Sequence, residues 1–191
     1  MPIDLLKQFY TNLNYCDDFN YLLALLRFHM APVIHKKKIS GLINLINKNR
    51  LVKDIWLAQK ERIVKFLNLS YFELRQTENS ILIIFYRAKS LEKRLRNKNV
   101  RSMLEKLGYK NCGELYEYLK VLQKKFTKSC PFEVGVFLGY PLCDIIAFNR
   151  DSKNFKCLGY WKCFYNEEKA IRTFEAYDQA KILELSDILQ K

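Results

Sequence analysis

The period of apolar and polar positions changes several times along this chain, and each change marks an element. Residues 2–13 are apolar at helical spacing. Pro2 and Asp4 suit a first turn, where a missing N–H is harmless and a carboxylate meets the positive end of the helix dipole. A second helix is predicted from Cys16, Asp17 and Asp18 through Leu22, Leu23, Leu25 and Leu26 to about His29, capped by one of the two aspartates. Pro32 should end it, because its ring disfavours helical geometry in the residue before it. His29, near that end, is expected to meet the last carbonyls. The HKKK stretch at 35–38 and Gly41 form a polar connection into residues 42–46, a short strand or turn.

Residues 52–67 carry a helical stripe through Ile55, Ile63 and Phe66, with Lys53, Lys60, Arg62 and Lys65 on the other face. Two strand-like runs, 71–76 and 80–87, flank a turn signal at 77–79. The second is apolar at every position from 81 to 85, which marks a strand covered on both faces. Helical spacing resumes over 90–107, with a break into two expected at 97–99 and Gly108 placed to cap the end. Residues 114–126 form a helix with Leu115, Tyr118, Leu119, Leu122 and Phe126 as its stripe.

Residues 133–138 are expected to form a strand, turned by Gly139, Tyr140 and Pro141 into a short helix ending near Phe148. Residues 155–165 are expected to be a second long strand with Gly159 in its middle. Asn166 then caps a terminal helix that opens on Glu167 and Glu168. Strands and helices do not alternate strictly, so the fold class is α+β: a small, mostly antiparallel sheet packed with several helices, and a helical N-terminal part. Residues 1–191 are read as a single domain.

Composition narrows this picture. The chain has 191 residues, 49% of them apolar, and only six Gly and four Pro, which leaves little room for flexible linkers. Its longest apolar runs fall far short of the roughly 20 residues of a membrane span, and no signal-peptide pattern opens it. Six cysteines on long, uneven spacings suit reduced thiols and a cytoplasmic protein, a monomer or simple dimer. The 33 basic and 20 acidic side chains leave a net charge of +13, which favours an acidic partner or an acidic small ligand. Residues 87–110 hold nine Lys/Arg against two Glu, a net of +7. No base-reading motif accompanies them, so any nucleic-acid binding there would be non-specific.

Several chemistries have no motif here. Neither a dinucleotide-binding glycine pattern nor a P-loop can be written, and no cofactor is implied. No CxxC or HxxxH pair exists, and Cys157 and Cys163 on one long strand would stand about 20 Å apart, so no metal is expected. No catalytic set stands out. The candidate site joins two motifs. Gly139, Tyr140 and Pro141 make a tight turn into a helix whose first turn carries Asp144. Gly159 permits close backbone approach, while Tyr160, Trp161 and Lys162 offer ring faces and a cation. Tyr140 and Trp161 are expected to lie side by side, on two antiparallel neighbouring strands.

These same motifs carry a resemblance. FEVGVFLGYPLCDIIAF at 132–148, KCLGYWKC at 156–163 and AIRTFEAY at 170–177 resemble the signature of domain-of-unknown-function family 3793, as do FHMAPV at 28–33 and residues 82–95. The likeness runs from residue 18 to 183, leaving 1–17 as an N-terminal helical extension. The family has no established activity, so the resemblance implies no residue roles. Two positions depart from its pattern: Met30 stands where Cys is usual, and Phe132 where His is usual. A thiolate–imidazole pair at these two positions is therefore closed to this chain. The function expected is a non-enzymatic binding or partner-interaction domain for an acidic or aromatic ligand or protein. One alternative is an enzyme of unknown reaction with a pocket near the Gly139–Pro141 and Gly159–Lys162 motifs, assembled from distant residues such as His29, Glu133, Asp144 and Lys162. The other is non-specific nucleic-acid binding through the basic helices.

Overall fold

The computed structural model describes residues 2–151 and 153–190. Its elements run α1 (Ile3–Leu13), α2 (Asp18–Ile34), β1 (Ser40–Ile46), α3 (Val52–Leu67), β2 (Ser70–Gln76), β3 (Ser80–Tyr86), α4 (Ala88–Leu95), α5 (Lys98–Lys106), α6 (Leu115–Phe126), α7 (Val134–Phe137), α8 (Leu142–Arg150), β4 (Cys157–Leu158), β5 (Lys162–Cys163) and α9 (Glu167–Leu189). The fold is α+β. Among the described residues no helix is long and apolar enough to cross a membrane.

The order β1-β3-β2, antiparallel throughout, places the wholly apolar strand β3 in the centre of its sheet. Side chains alternate across a strand, so β3 feeds two cores. Ile81, Ile83 and Phe85 pack with Leu22, Leu26, Trp56 and Ile63 on one face. Leu82, Ile84 and Tyr86 pack with Leu91, Leu104, Leu122 and Phe137 on the other. A bulge between Glu73 and Arg75 in β2 lets Leu74 join the second core. A third cluster, Phe9, Leu13, Phe28 and Leu185, ties α1 and α2 to the terminal helix.

Several helix ends follow the sequence. Asp17 caps α2 by accepting from Asn20 N, Asn97 separates α4 from α5 by capping the latter, and Asn166 caps α9. Gly108 takes φ +95° just after α5, a conformation that favours glycine.

Pro32 does not end α2. The helix continues to Ile34 with the proline inside it, and His29 therefore lies within the helix rather than at its end. Burial of Met30, Ala31, Pro32 and Val33 offsets the lost N–H bond. The helix stops two residues after the proline, and a closing turn follows. Lys36 adopts φ +60°, and the Pro32 carbonyl accepts from both Lys37 N and Lys38 N at 2.8 Å. This closing turn projects Lys38 toward the C-terminal half of the chain.

Candidate functional site

The segment expected as a strand at 133–138 is a single helical turn, α7, in which Leu138 N donates to Val134 O at 2.9 Å. A short apolar run has no period that separates strand from helix, and here a buried acid decides. Glu133 is drawn into the core by Lys125 at 2.9 Å and by the Tyr109 hydroxyl at 3.4 Å. Gly135 lets α7 close on α8: a Cβ there would stand 3.0 Å from Ile145 Cγ1 and 3.2 Å from Tyr140 Cδ2. Gly139 follows at φ +81°, with Ile39 Cγ1 2.9 Å from where its Cβ would be, so both its conformation and its space require glycine. Pro141 then serves as the N-cap of α8.

The long strand expected at 155–165 is instead a narrow hairpin. Strands β4 and β5 have two residues each, and Gly159 N donates to Trp161 O across the turn between them. What bends the chain comes from elsewhere in the sequence. Asp144, only 3% exposed, accepts from Trp161 Nε1 at 3.0 Å, Phe164 N at 2.9 Å and Tyr165 N at 3.3 Å. Phe174 of α9 lies against Gly159 so closely that any Cβ there would collide with its ring. The hairpin also corrects the cysteine geometry. Cys157 and Cys163 are direct cross-strand partners, not residues at opposite ends of one strand.

Tyr140 and Trp161 stack with ring centroids 5.1 Å apart and planes 29° from parallel. Phe174 meets the indole edge-on at 4.5 Å. Neither residue of the stack is on a regular strand, so the two motifs meet through a helix cap and a hairpin turn rather than through neighbouring strands. A hollow of about 320 Å³ lies beside the pair, walled by Phe132, Gly135, Tyr140, Ile145, Phe148 and Trp161, and Lys162 also lines it. The Lys162 ammonium lies 5.7 Å from the Phe148 ring centroid and 5.0 Å from that of Phe155. A second hollow, about 430 Å³, borders Trp161 and Asp144 with Arg94, Pro141, Lys169 and Tyr177. Tyr160 faces away from both, donating its hydroxyl to Asp178 at 2.7 Å.

Behind Tyr140 lies a cationic cluster that motif reading passed over. The Lys38 ammonium sits over the rings of Tyr140 at 5.2 Å, Tyr177 at 5.7 Å and Tyr160 at 6.0 Å. Burial and the nearby Lys181 ammonium push its pKa down to about 8. Lys181 itself lies 4.9 Å over Tyr160. Burial raises the tyrosine hydroxyls, those of Tyr140 and Tyr177 to about 12, so the rings stay neutral. Arg94 donates to the Tyr140 carbonyl at 2.6 Å, while its Nε is buried with no partner. Phe174, Tyr177 and Lys181 share one face of α9 at helical spacing, which was the available signal. Lys38 looked like part of a polar connection, and nothing local marks it otherwise.

Of the residues named for an enzymatic alternative, Asp144 and Lys162 line the same 320 Å³ hollow, while Glu133 and His29 do not. Glu133 is engaged by Lys125 and Tyr109, Asp144 by the hairpin, and His29 lies on α2 with its ring against Phe28. Met30 packs in the core on one face of the sheet and Phe132 against the core on the other. A Cys and a His at these two positions would not face one another in this fold. Among the described residues no group of three His, Cys, Asp or Glu side chains is arranged to hold a metal ion.

No match to the chain was found among curated proteins or among solved structures. The family described as Protein of unknown function (DUF3793) matches residues 26–191, which takes in most of both core faces, the Tyr140–Trp161 stack and the terminal helix. With most of its length so matched, the chain belongs to that family.

Proposed function

We propose that this protein is a binding domain, without catalytic machinery of its own, for a small aromatic ligand that carries an acidic group. The observation behind this reading is the wall of the 320 Å³ hollow. Trp161, held by Asp144 and stacked on Tyr140, presents indole surface to a space whose other walls are largely apolar. Such a space is at the small end of ligand sites, sized for one or two fused rings. Phe148, 42% exposed, stands at the same hollow, and Lys162 brings positive charge to it. Asp144 faces the same space, but its oxygens already accept three N–H groups, which spreads its negative charge.

Titration with 2-naphthoate, followed by tryptophan fluorescence, tests the reading. Saturable quenching is expected from Trp161, while the sealed Trp56 supplies a constant background. Phe148→Ala should weaken binding. Lys162→Gln should weaken 2-naphthoate by roughly tenfold, about 1.4 kcal/mol, and leave neutral 2-naphthamide nearly unchanged. Absence of saturable quenching at millimolar ligand would sink the proposal, and equal loss for acid and amide would remove its acidic half.

A further inference from the structure

The β4–β5 hairpin brings two thiols together at its neck. Cys157 and Cys163 are Cα partners in an antiparallel pair. Residues so placed have Cα atoms about 4.5–5.5 Å apart, inside the range of about 4.4–6.8 Å that disulfides span. Their side chains stand on the same face of the ribbon, and Cys157 is close enough to influence the Cys163 thiol. No strand register pairs Cys16, Cys112, Cys130 or Cys143 with another cysteine.

We propose that Cys157 and Cys163 are a reversible thiol–disulfide site that clamps the hairpin carrying Trp161, with low-molecular-weight disulfides as its oxidant. The two thiols are unequal. Cys163 is 1% exposed, and burial, then the Asp144 carboxylate, push its pKa up to about 11. Cys157 is part-exposed. An external disulfide therefore meets Cys157 first. The Cys157 thiolate attacks one sulfur of the oxidant, forming a mixed disulfide and expelling one thiolate. Cys163 then gives its proton to solvent and attacks the Cys157 sulfur, expelling the second thiolate. Two protein thiols are oxidised to one disulfide, and one small disulfide is reduced to two thiols. The buried position of Cys163 keeps the second step intramolecular. The closed ring spans only the turn 158–162, so it fixes the loop that presents Tyr160 and Trp161 and asks little of the rest of the fold.

Incubation with oxidised glutathione, then N-ethylmaleimide alkylation and mass mapping, tests this without reference to any ligand. Of the six thiols, two should become protected, with the peptides holding Cys157 and Cys163 joined and released again by dithiothreitol. In Cys163→Ser the reaction should halt at a glutathione adduct on Cys157. In Cys157→Ser the Cys163 thiol should stay free. The proposal fails if the wild-type protein stops at the Cys157 adduct, or if both residues stay alkylatable while exposed Cys130 and Cys143 react. Because the readout is covalent, it stands or falls separately from 2-naphthoate binding.

Discussion

Trp56 and Trp161 each donate an indole N–H to a carboxylate, to Glu73 at 2.9 Å and to Asp144 at 3.0 Å, and each meets a phenylalanine edge-on. Their surroundings differ in every other respect. Trp56 is 0% exposed, carried on α3 against the sheet, with Tyr71 and Phe85 crossing it at near right angles. Its carboxylate partner turns outward to Lys60. Trp161 is only part-buried, lies in a turn rather than a helix, and borders two hollows. Its carboxylate partner is the buried one. The same bond therefore serves opposite ends: at Trp56 it satisfies a donor that packing has already sealed, and at Trp161 it holds a ring that packing leaves half open. An indole fixed by a buried acid beside empty space is a better mark of a site than an indole fixed by packing.

Truncating the two rings is the harshest way to break this comparison. Trp56→Ala should cost about 3–5 kcal/mol, the range for large-to-small changes in a core, read as a fall in the urea midpoint. Trp161→Ala should cost only about 1–2 kcal/mol, because part of its surface is exposed already. Equal losses would mean that Trp161 is a core residue and that the hollows beside it are packing defects.

The partners offer a finer cut. Asp144→Ala removes the acceptor for one indole and two backbone N–H groups, so a loss of about 2–3 kcal/mol is expected in the same assay. Trp161 emission should shift to the red as the ring loosens, with Trp56 unaffected. If Asp144→Ala keeps the wild-type emission, packing by Tyr140 and Phe174 alone places the ring.

What the sequence made legible follows the same divide. The faces of β3, the extent of α3, the break at 97–99, the cap at Asn166 and the turn at Gly108 all follow from local patterns, because period and cap chemistry act within a few residues. The candidate site is set by bonds across the chain. Asp144 bends residues 161–165, Phe174 decides what Gly159 must be, and Lys125 pulls Glu133 inward to make a helical turn of an apolar run. The motifs were visible, but the reason for a glycine at 159, the Phe174 ring, was not. Nor was the hairpin, since 155–165 is apolar and aromatic enough to pass for one strand. Pro32 misled for a related reason: its core contacts, invisible locally, outweigh its intrinsic cost.

The smallest and most specific effect concerns Lys60, which shares Glu73 with Trp56, and Lys38, which lies over Tyr140 behind Trp161. Lys60 hydrogen-bonds to Glu73, and that bond, ahead of any burial, raises its pKa. Lys38 has ring faces where Lys60 has a carboxylate, and burial followed by Lys181 lowers its pKa to about 8 from an unfolded value of 10.5. Between pH 8 and 10.5 the unfolded chain thus holds the Lys38 proton more tightly than the folded one, and stability from this group rises with pH across that window. Below pH 8 both states are protonated and the cost of the buried ammonium is present in full. The nearby tyrosines have raised pKa values and slope the other way, so the difference between wild type and Lys38→Met isolates the lysine. Urea midpoints at pH 7 should favour the variant by about 1–2 kcal/mol, after allowance for the partial exposure of the side chain, and the gap should close by pH 10.5. Lys60→Met should show the opposite sign at pH 7, a loss of at most about 0.5 kcal/mol that salt reduces. A Lys38→Met protein less stable than wild type at pH 7 would mean that the three tyrosine faces more than repay the ammonium's desolvation, and the cluster behind Tyr140 would then be a cation–π brace instead of a strained amine.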